Sequence, residues 1–206
     1  MRYVAAFAVA AVFVCASPSA RAGTTVRYPF DDARYLVAAQ RDGAEAYVPD
    51  AASASNKPVP LVVFLHGINP EGALHVWMDG DHDLRPVVDA LVEGGVEPFV
   101  LAAPSQTRDA GRGRYLWPDF DVDAFVAQTA SAVARHVDID SRRVYVVGHS
   151  GAGCNGSGGI AAAANATRAY VRGVLAVDTC MDADAGTALA RFPSRIPVWV
   201  TWQNQV

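Results

Sequence analysis

The chain has 206 residues, 51% of them apolar, and a formal charge of −4 at neutral pH. That length suits one domain with a full hydrophobic core. The composition excludes a disordered chain, and the mild acidity gives no basic surface for a nucleic-acid partner.

The first 22 residues stand apart. Met1-Arg2-Tyr3 is a short positive start, Val4 to Ala16 is an apolar run, and Ser17-Pro18-Ser19 breaks it ahead of Ala20-Arg21-Ala22. This pattern predicts a cleavable secretory signal peptide over residues 1–22, with Cys15 inside the discarded segment. The run is shorter than the ~20 residues that cross a bilayer. The expectation is a secreted or periplasmic protein, one domain over 23–206, with no membrane attachment after cleavage. Loss of Arg2 and Arg21 takes the formal charge from −4 to −6.

Arg34 to Gln40 and Glu45 to Val48 read as early strands around an Asp42-Gly43 turn. Asp50 to Pro60 reads as a loop. Pro60 to His66 is a continuous apolar run, the mark of a strand buried on both faces. Asp83 to Glu93 is a short amphipathic helix closed by Gly94-Gly95, and Pro98 to Ala103 is the next buried strand. Asp119 to His136 places Val122, Phe125, Val126, Thr129 and Val133 at helical spacing. Arg143 to Val147 is a strand, and Gly151 to Arg168 an alanine-rich helix. Strand Arg172 to Val177, helix Ala183 to Arg191 and strand Pro197 to Gln203 follow. Buried strands alternating with helices predict an α/β fold: a mostly parallel sheet flanked by helices on both faces. In such sheets chemistry collects beyond the carboxyl ends of the strands.

Two motifs sit at such ends. Val144 to Val147 runs into Gly148-His149-Ser150-Gly151-Ala152-Gly153 and then into the helix. This is the strand–turn–helix setting of a nucleophile elbow, whose sharp turn lifts a serine hydroxyl above the sheet. Small residues flank Ser150 because larger ones would collide across the turn. The pattern G-x-S-x-G has Ala152 at its last position here, followed by Gly153. The second motif is Phe64-Leu65-His66-Gly67, leading into Ile68. A hydrolytic serine needs backbone N–H groups aimed at the developing oxyanion. Gly151 and Ile68 are the candidate donors, with Gly67 leaving the turn unobstructed and His66 holding the loop.

With "LVVFLHG" as oxyanion strand and loop and "VYVVGHSGAG" as nucleophile strand and elbow, the chain resembles the α/β-hydrolases over most of its length from Tyr35 to Gln203. The resemblance implies Ser150 as an acyl-accepting nucleophile and hydrolysis of an ester or related bond. It also implies a triad ordered Ser, acid, His. None of the five histidines (His66, His75, His82, His136, His149) follows Ser150. His149 is expected to point away from the serine, and His136 to lie at the far end of the sheet. His75 or His82 would serve only in an unusual arrangement. The resemblance implies a further helix, a last strand and a His-bearing loop after Val206, so the domain is expected to be incomplete there. For the acid, Asp178 is favoured and Asp182 is the alternative. A cap or loop hydrogen bond is the plain reading of either.

Cys154 and Cys180 are the two cysteines outside the leader. In an exported protein they are expected to form a disulfide joining the elbow to the Asp178 loop. Trp77, Arg108 and Trp117 lie in loops after strand ends and are candidate substrate contacts, with Arg112, Arg114 and Tyr115 in the same loop. The run Asp79 to Asp83 lacks the spacing of a calcium loop, so neither a metal nor a cofactor is expected. The expected function is an exported serine hydrolase cleaving a small-molecule carboxylic ester. An amidase or peptidase with the same nucleophile, and an inactive fragment or binding module with this fold, remain as alternatives.

Overall fold

The computed structural model describes residues 23–30, 43–67, 83–104, 120–153, 159–166, 170–179, 183–192 and 196–202. The apolar runs become the middle of a seven-stranded sheet. Its strands are Thr24–Tyr28 (β1), Ala44–Val48 (β2), Val59–Leu65 (β3), Val100–Pro104 (β4), Ile139–His149 (β5), Val171–Val177 (β6) and Val198–Thr201 (β7). The spatial order is β1-β2-β4-β3-β5-β6-β7. β1 and β2, and β2 and β4, pair antiparallel. The pairs from β4 through β3, β5 and β6 to β7 are parallel.

Helices cover both faces because alternate strand residues point opposite ways. On β4, Leu101 and Ala103 pack with Phe64 and Val88 under Arg85–Glu93 (α2). Val100 and Ala102 join the other core, beneath Val122–Val133 (α3). The buried residues of α3 are Val122, Phe125, Val126, Thr129 and Val133, the stripe its sequence periodicity predicts. Asp121 caps this helix, accepting from the Ala124 N–H at 2.8 Å, which satisfies one of the orphan donors of the first turn. Phe125 anchors an aromatic cluster with Phe30 and Phe120 at centroid distances of 5.1 and 5.5 Å. Each such buried side chain contributes about 1.5–3 kcal/mol. The buried Tyr28 and Thr129 hydroxyls, 2.5 Å apart, tie α3 to β1. Arg27 pairs with the buried Glu45 across β1 and β2.

Three elements depart from the sequence reading. β1 was not expected, although Thr24, Thr25 and Val26 are β-branched. Asp50–Ser53 (α1) is a helical turn within the expected loop. The expected helix after Ser150 is wound instead as 3-10 segments at Ser150–Gly153 and Gly159–Asn165. Glycines weaken the helical preference there, and Gly159 adopts φ 53. The remaining helix, Ala183–Leu189 (α4), packs by the second 3-10 segment. The proposed leader and the strand Arg34 to Gln40 lie outside the described residues. Among the described residues no helix is long and apolar enough to cross a membrane.

β7 closes the described sheet, and Val198, Trp199 and Val200 on it are exposed, as is Trp202 beyond it. No charged residue interrupts this stretch.

Candidate active site

The parallel strands β3, β5 and β6 bring three carboxyl ends together. Leu65 lies opposite Gly148 across β3 and β5. Gly148 and His149 lie opposite Ala176 and Val177 across β5 and β6. The residues that follow these strands, Gly67, Ser150 and Asp178, are therefore neighbours at one end of the sheet.

Ser150 and Asp178 are the two non-glycine residues with positive φ among the described residues, at 49° and 48°. Such a conformation costs a side-chain-bearing residue about 1–3 kcal/mol and persists where packing over-determines it. The packing here is specific. A methyl group on Gly148 would lie 2.0 Å from Ile160 Cγ2 and 3.2 Å from Ala152 Cβ. A methyl on Gly159 would lie 1.8 Å from the Ala152 carbonyl oxygen. The chain leaving β5 thus turns back over its own strand, and only small residues let it pass. Gly151, Ala152 and Gly153 are buried in this turn.

Gly67 fits against the serine. A methyl group there would lie 2.7 Å from Ser150 Cβ, 3.2 Å from Oγ and 3.3 Å from His149 Nδ1. The His149 ring and the Ser150 hydroxyl therefore both border Gly67. The expected divergence of these two side chains is reduced because the positive φ of Ser150 interrupts strand alternation. Asp178 is half-buried, and its N–H donates to the Thr201 carbonyl at 2.8 Å, tying the end of β6 to β7.

His66 is 1% exposed, and its Nδ1 donates to the Gly67 carbonyl at 3.0 Å. Burial pushes its pKa down to about 4, against the opposing pull of the Gly67 and Pro104 backbones and with a further lowering from His149. The imidazole is therefore neutral at neutral pH. His136 lies in the turn after α3, ahead of β5 and hence at the opposite end of the sheet from Ser150.

Ser150, Asp178, Gly67 and Gly151 are thus placed at one strand end. The remaining candidates lie outside the described residues: Ile68, His75, Trp77, His82, Arg108, Arg112, Arg114, Tyr115, Trp117, Cys154, Cys180 and Asp182. Among the described residues no three side chains are grouped to hold a metal ion. Sequence reasoning did not single out Thr179, whose side chain sits on Gly153. Its signal was a β-branched residue directly after a strand-end aspartate.

Two outcomes follow from this packing. Gly67→Ala forces the β3 loop and the Ser150 turn apart, an overpacking cost of about 1–3 kcal/mol, read as a lower denaturation midpoint. An unchanged midpoint would show that the two do not touch. For His66, the unfolded imidazole takes a proton near pH 6.5 that the folded one refuses until about pH 4. Its contribution is complete above pH 6.5 and is lost as pH falls through that window, by about 3 kcal/mol. Denaturant midpoints of His66→Gln should fall less between pH 7.5 and 4 than those of the native chain. Parallel curves would assign the acid loss to other groups.

No protein-family profile matches the chain, and no curated protein matches it in sequence. Solved structures do match in fold. A serine-to-alanine mutant of the feruloyl esterase module from Clostridium thermocellum, in complex with sinapinate, aligns at 14% identity over 89% of this chain and 68% of that one, with a TM-score of 0.54. A thermostable esterase aligns at 20% identity over 85% of this chain and 45% of that one, with a TM-score of 0.55. A ferulic acid esterase aligns at 19% identity over 66% of this chain and 53% of that one, with a TM-score of 0.45. The chain thus spans from under half to about two thirds of the length of these proteins. The strand order, the parallel core and the two neighbours with TM-scores of 0.54 and 0.55 together give the chain an α/β-hydrolase-like fold.

Proposed function

We propose that the chain belongs to an exported serine hydrolase that cleaves carboxylic esters through an acyl-enzyme on Ser150. The observation that carries this reading is Ser150 itself: a left-handed serine at the end of strand β5, with Gly67 of the β3 loop against its side chain. The esterase neighbours agree with hydrolysis of an acyl bond, and the leader-like residues 1–22 support export.

In this reading Ser150 Oγ attacks the ester carbonyl as its proton passes to a base. The backbone N–H groups of Gly151 and Ile68 receive the oxyanion. Collapse of the tetrahedral intermediate breaks the ester C–O bond, and the alcohol leaves with a proton. Water then attacks the acyl-serine, releasing the acid and restoring the hydroxyl. Asp178 is the acid that orients the base, supported by its place beside Ser150 and its positive φ. Trp77, Arg108 and Trp117 are proposed as substrate contacts. A fluorophosphonate probe tests the nucleophile. Covalent labelling should map to the Ser150 peptide and vanish in Ser150→Ala. A native chain that stays unlabelled favours the reading as an inactive or binding form of this fold.

The Cys154–Cys180 disulfide belongs to the same proposal. It is supported by the contact between the residues just before each cysteine. A methyl on Gly153 would lie 2.5 Å from Thr179 Cβ, so the two backbones approach closely at that point. Peptide mapping without reductant should recover the two cysteine peptides linked, and two free thiols would refute the bridge.

A further inference from the structure

We propose that Thr179 is a positioning residue, seated on the bare Cα of Gly153, that holds Asp178 in register with the Ser150 turn. The inference rests on reading Ser150 as nucleophile and Asp178 as the acid. Its evidence is separate from theirs. The position of a Cβ on Gly153 lies 2.5, 2.8 and 3.1 Å from Thr179 Cβ, Oγ1 and Cγ2, so all three side-chain atoms beyond Cα crowd one point of the nucleophile turn. Gly153 is buried at the end of that turn, three residues after Ser150. Thr179 follows Asp178 directly. The Asp178 N–H is fixed on its other side by the Thr201 carbonyl. Asp178 is thus clamped between a backbone bond to β7 and a side-chain contact with the elbow, and this clamp holds it at φ 48.

Shape carries the contact. Thr179 Oγ1 is buried and has no hydrogen-bond partner among the described residues. A buried hydroxyl left unpaired is unfavourable, so the seat is made by the branched outline of the side chain and not by a hydrogen bond. Valine has that outline, and alanine lacks it.

The test is a mutant cycle read with p-nitrophenyl acetate turnover. Thr179→Ala empties the seat and Gly153→Ala overfills it. Each should lower kcat about tenfold while KM stays within about twofold, as expected for misplacement of a group that acts at the transition state. Thr179→Val should retain the native kcat. In an Asp178→Asn background neither alanine change should lower kcat further, because the residue being positioned is already disabled. Equal losses in that background would reduce Thr179 to general packing and overturn the inference. If Asp178→Asn is impaired while Thr179→Ala is not, this inference alone falls. If Asp178→Asn is fully active, the reading of Asp178 falls and takes the inference with it. Should turnover be too slow to measure, the seat is read by melting. Gly153→Ala should lower the melting temperature and Gly153→Ala with Thr179→Ala should recover most of it; no drop in the single variant overturns the inference.

Discussion

The close approach of Ile160 to the bare Cα of Gly148 governs how the end of β5 is built. A side chain at 148 would overlap Ile160 at 2.0 Å, and one at 159 would enter the Ala152 carbonyl at 1.8 Å. Ala152 and Ile160 therefore lie directly over the end of the strand that the chain has just left. A chain that reverses so sharply cannot keep every residue in an ordinary conformation, and Ser150 takes the left-handed one. Ile160 and Ala152 are completely buried, so the reversal is also part of the main core. Core packing and site geometry are here the same contacts, and the first holds the strain of the second.

The sheet converts that local turn into a site. Parallel pairing sets β3, β5 and β6 side by side with their carboxyl ends level, Leu65 beside Gly148 and Gly148 beside Ala176. Gly67 and Asp178, two residues beyond the first and last of these positions, flank Ser150 without any sequence proximity to it. The fully buried Leu61, Val63, Val144, Val146 and Val174 fix the register, because a one-residue slip would turn this apolar set to the opposite face. The antiparallel β1 and β2 lie on the other side of β4, remote from the reacting end.

Much of this was legible in the sequence. The centre of the sheet showed as continuous apolar runs, and the buried face of α3 as a five-residue stripe, since burial on two faces and on one stripe leave different periods. The elbow was legible because a strand, small residues and a serine occur in one short span. The 3-10 winding after Ser150 was not, because alanine content argues for helix while the close approach at Gly159 is a tertiary fact. β1 was missed because five residues beside a leader-like segment give too short a period to read. The relation of Thr179 to Gly153 was invisible for a different reason. It joins residues from two crossovers, and neither residue type announces the other.

The same physics separates the two roles a histidine can fill near Ser150. A general base works best with a pKa near the operating pH and a lone pair directed at the proton it accepts. His66 fails the first requirement, because burial drives its pKa to about 4, and its Nδ1 donates to the Gly67 carbonyl at the end of β3. Those properties suit a strut. A neutral imidazole in the core holds the end of β3 without bringing in a charge, and so fixes Gly67 against the serine. The burial that makes His66 a good support makes it a poor proton acceptor. His136 fails on position, since it precedes β5 while Ser150 follows it. Nearness of a histidine to the nucleophile motif in sequence is therefore weak evidence for a base, and environment decides which role it takes.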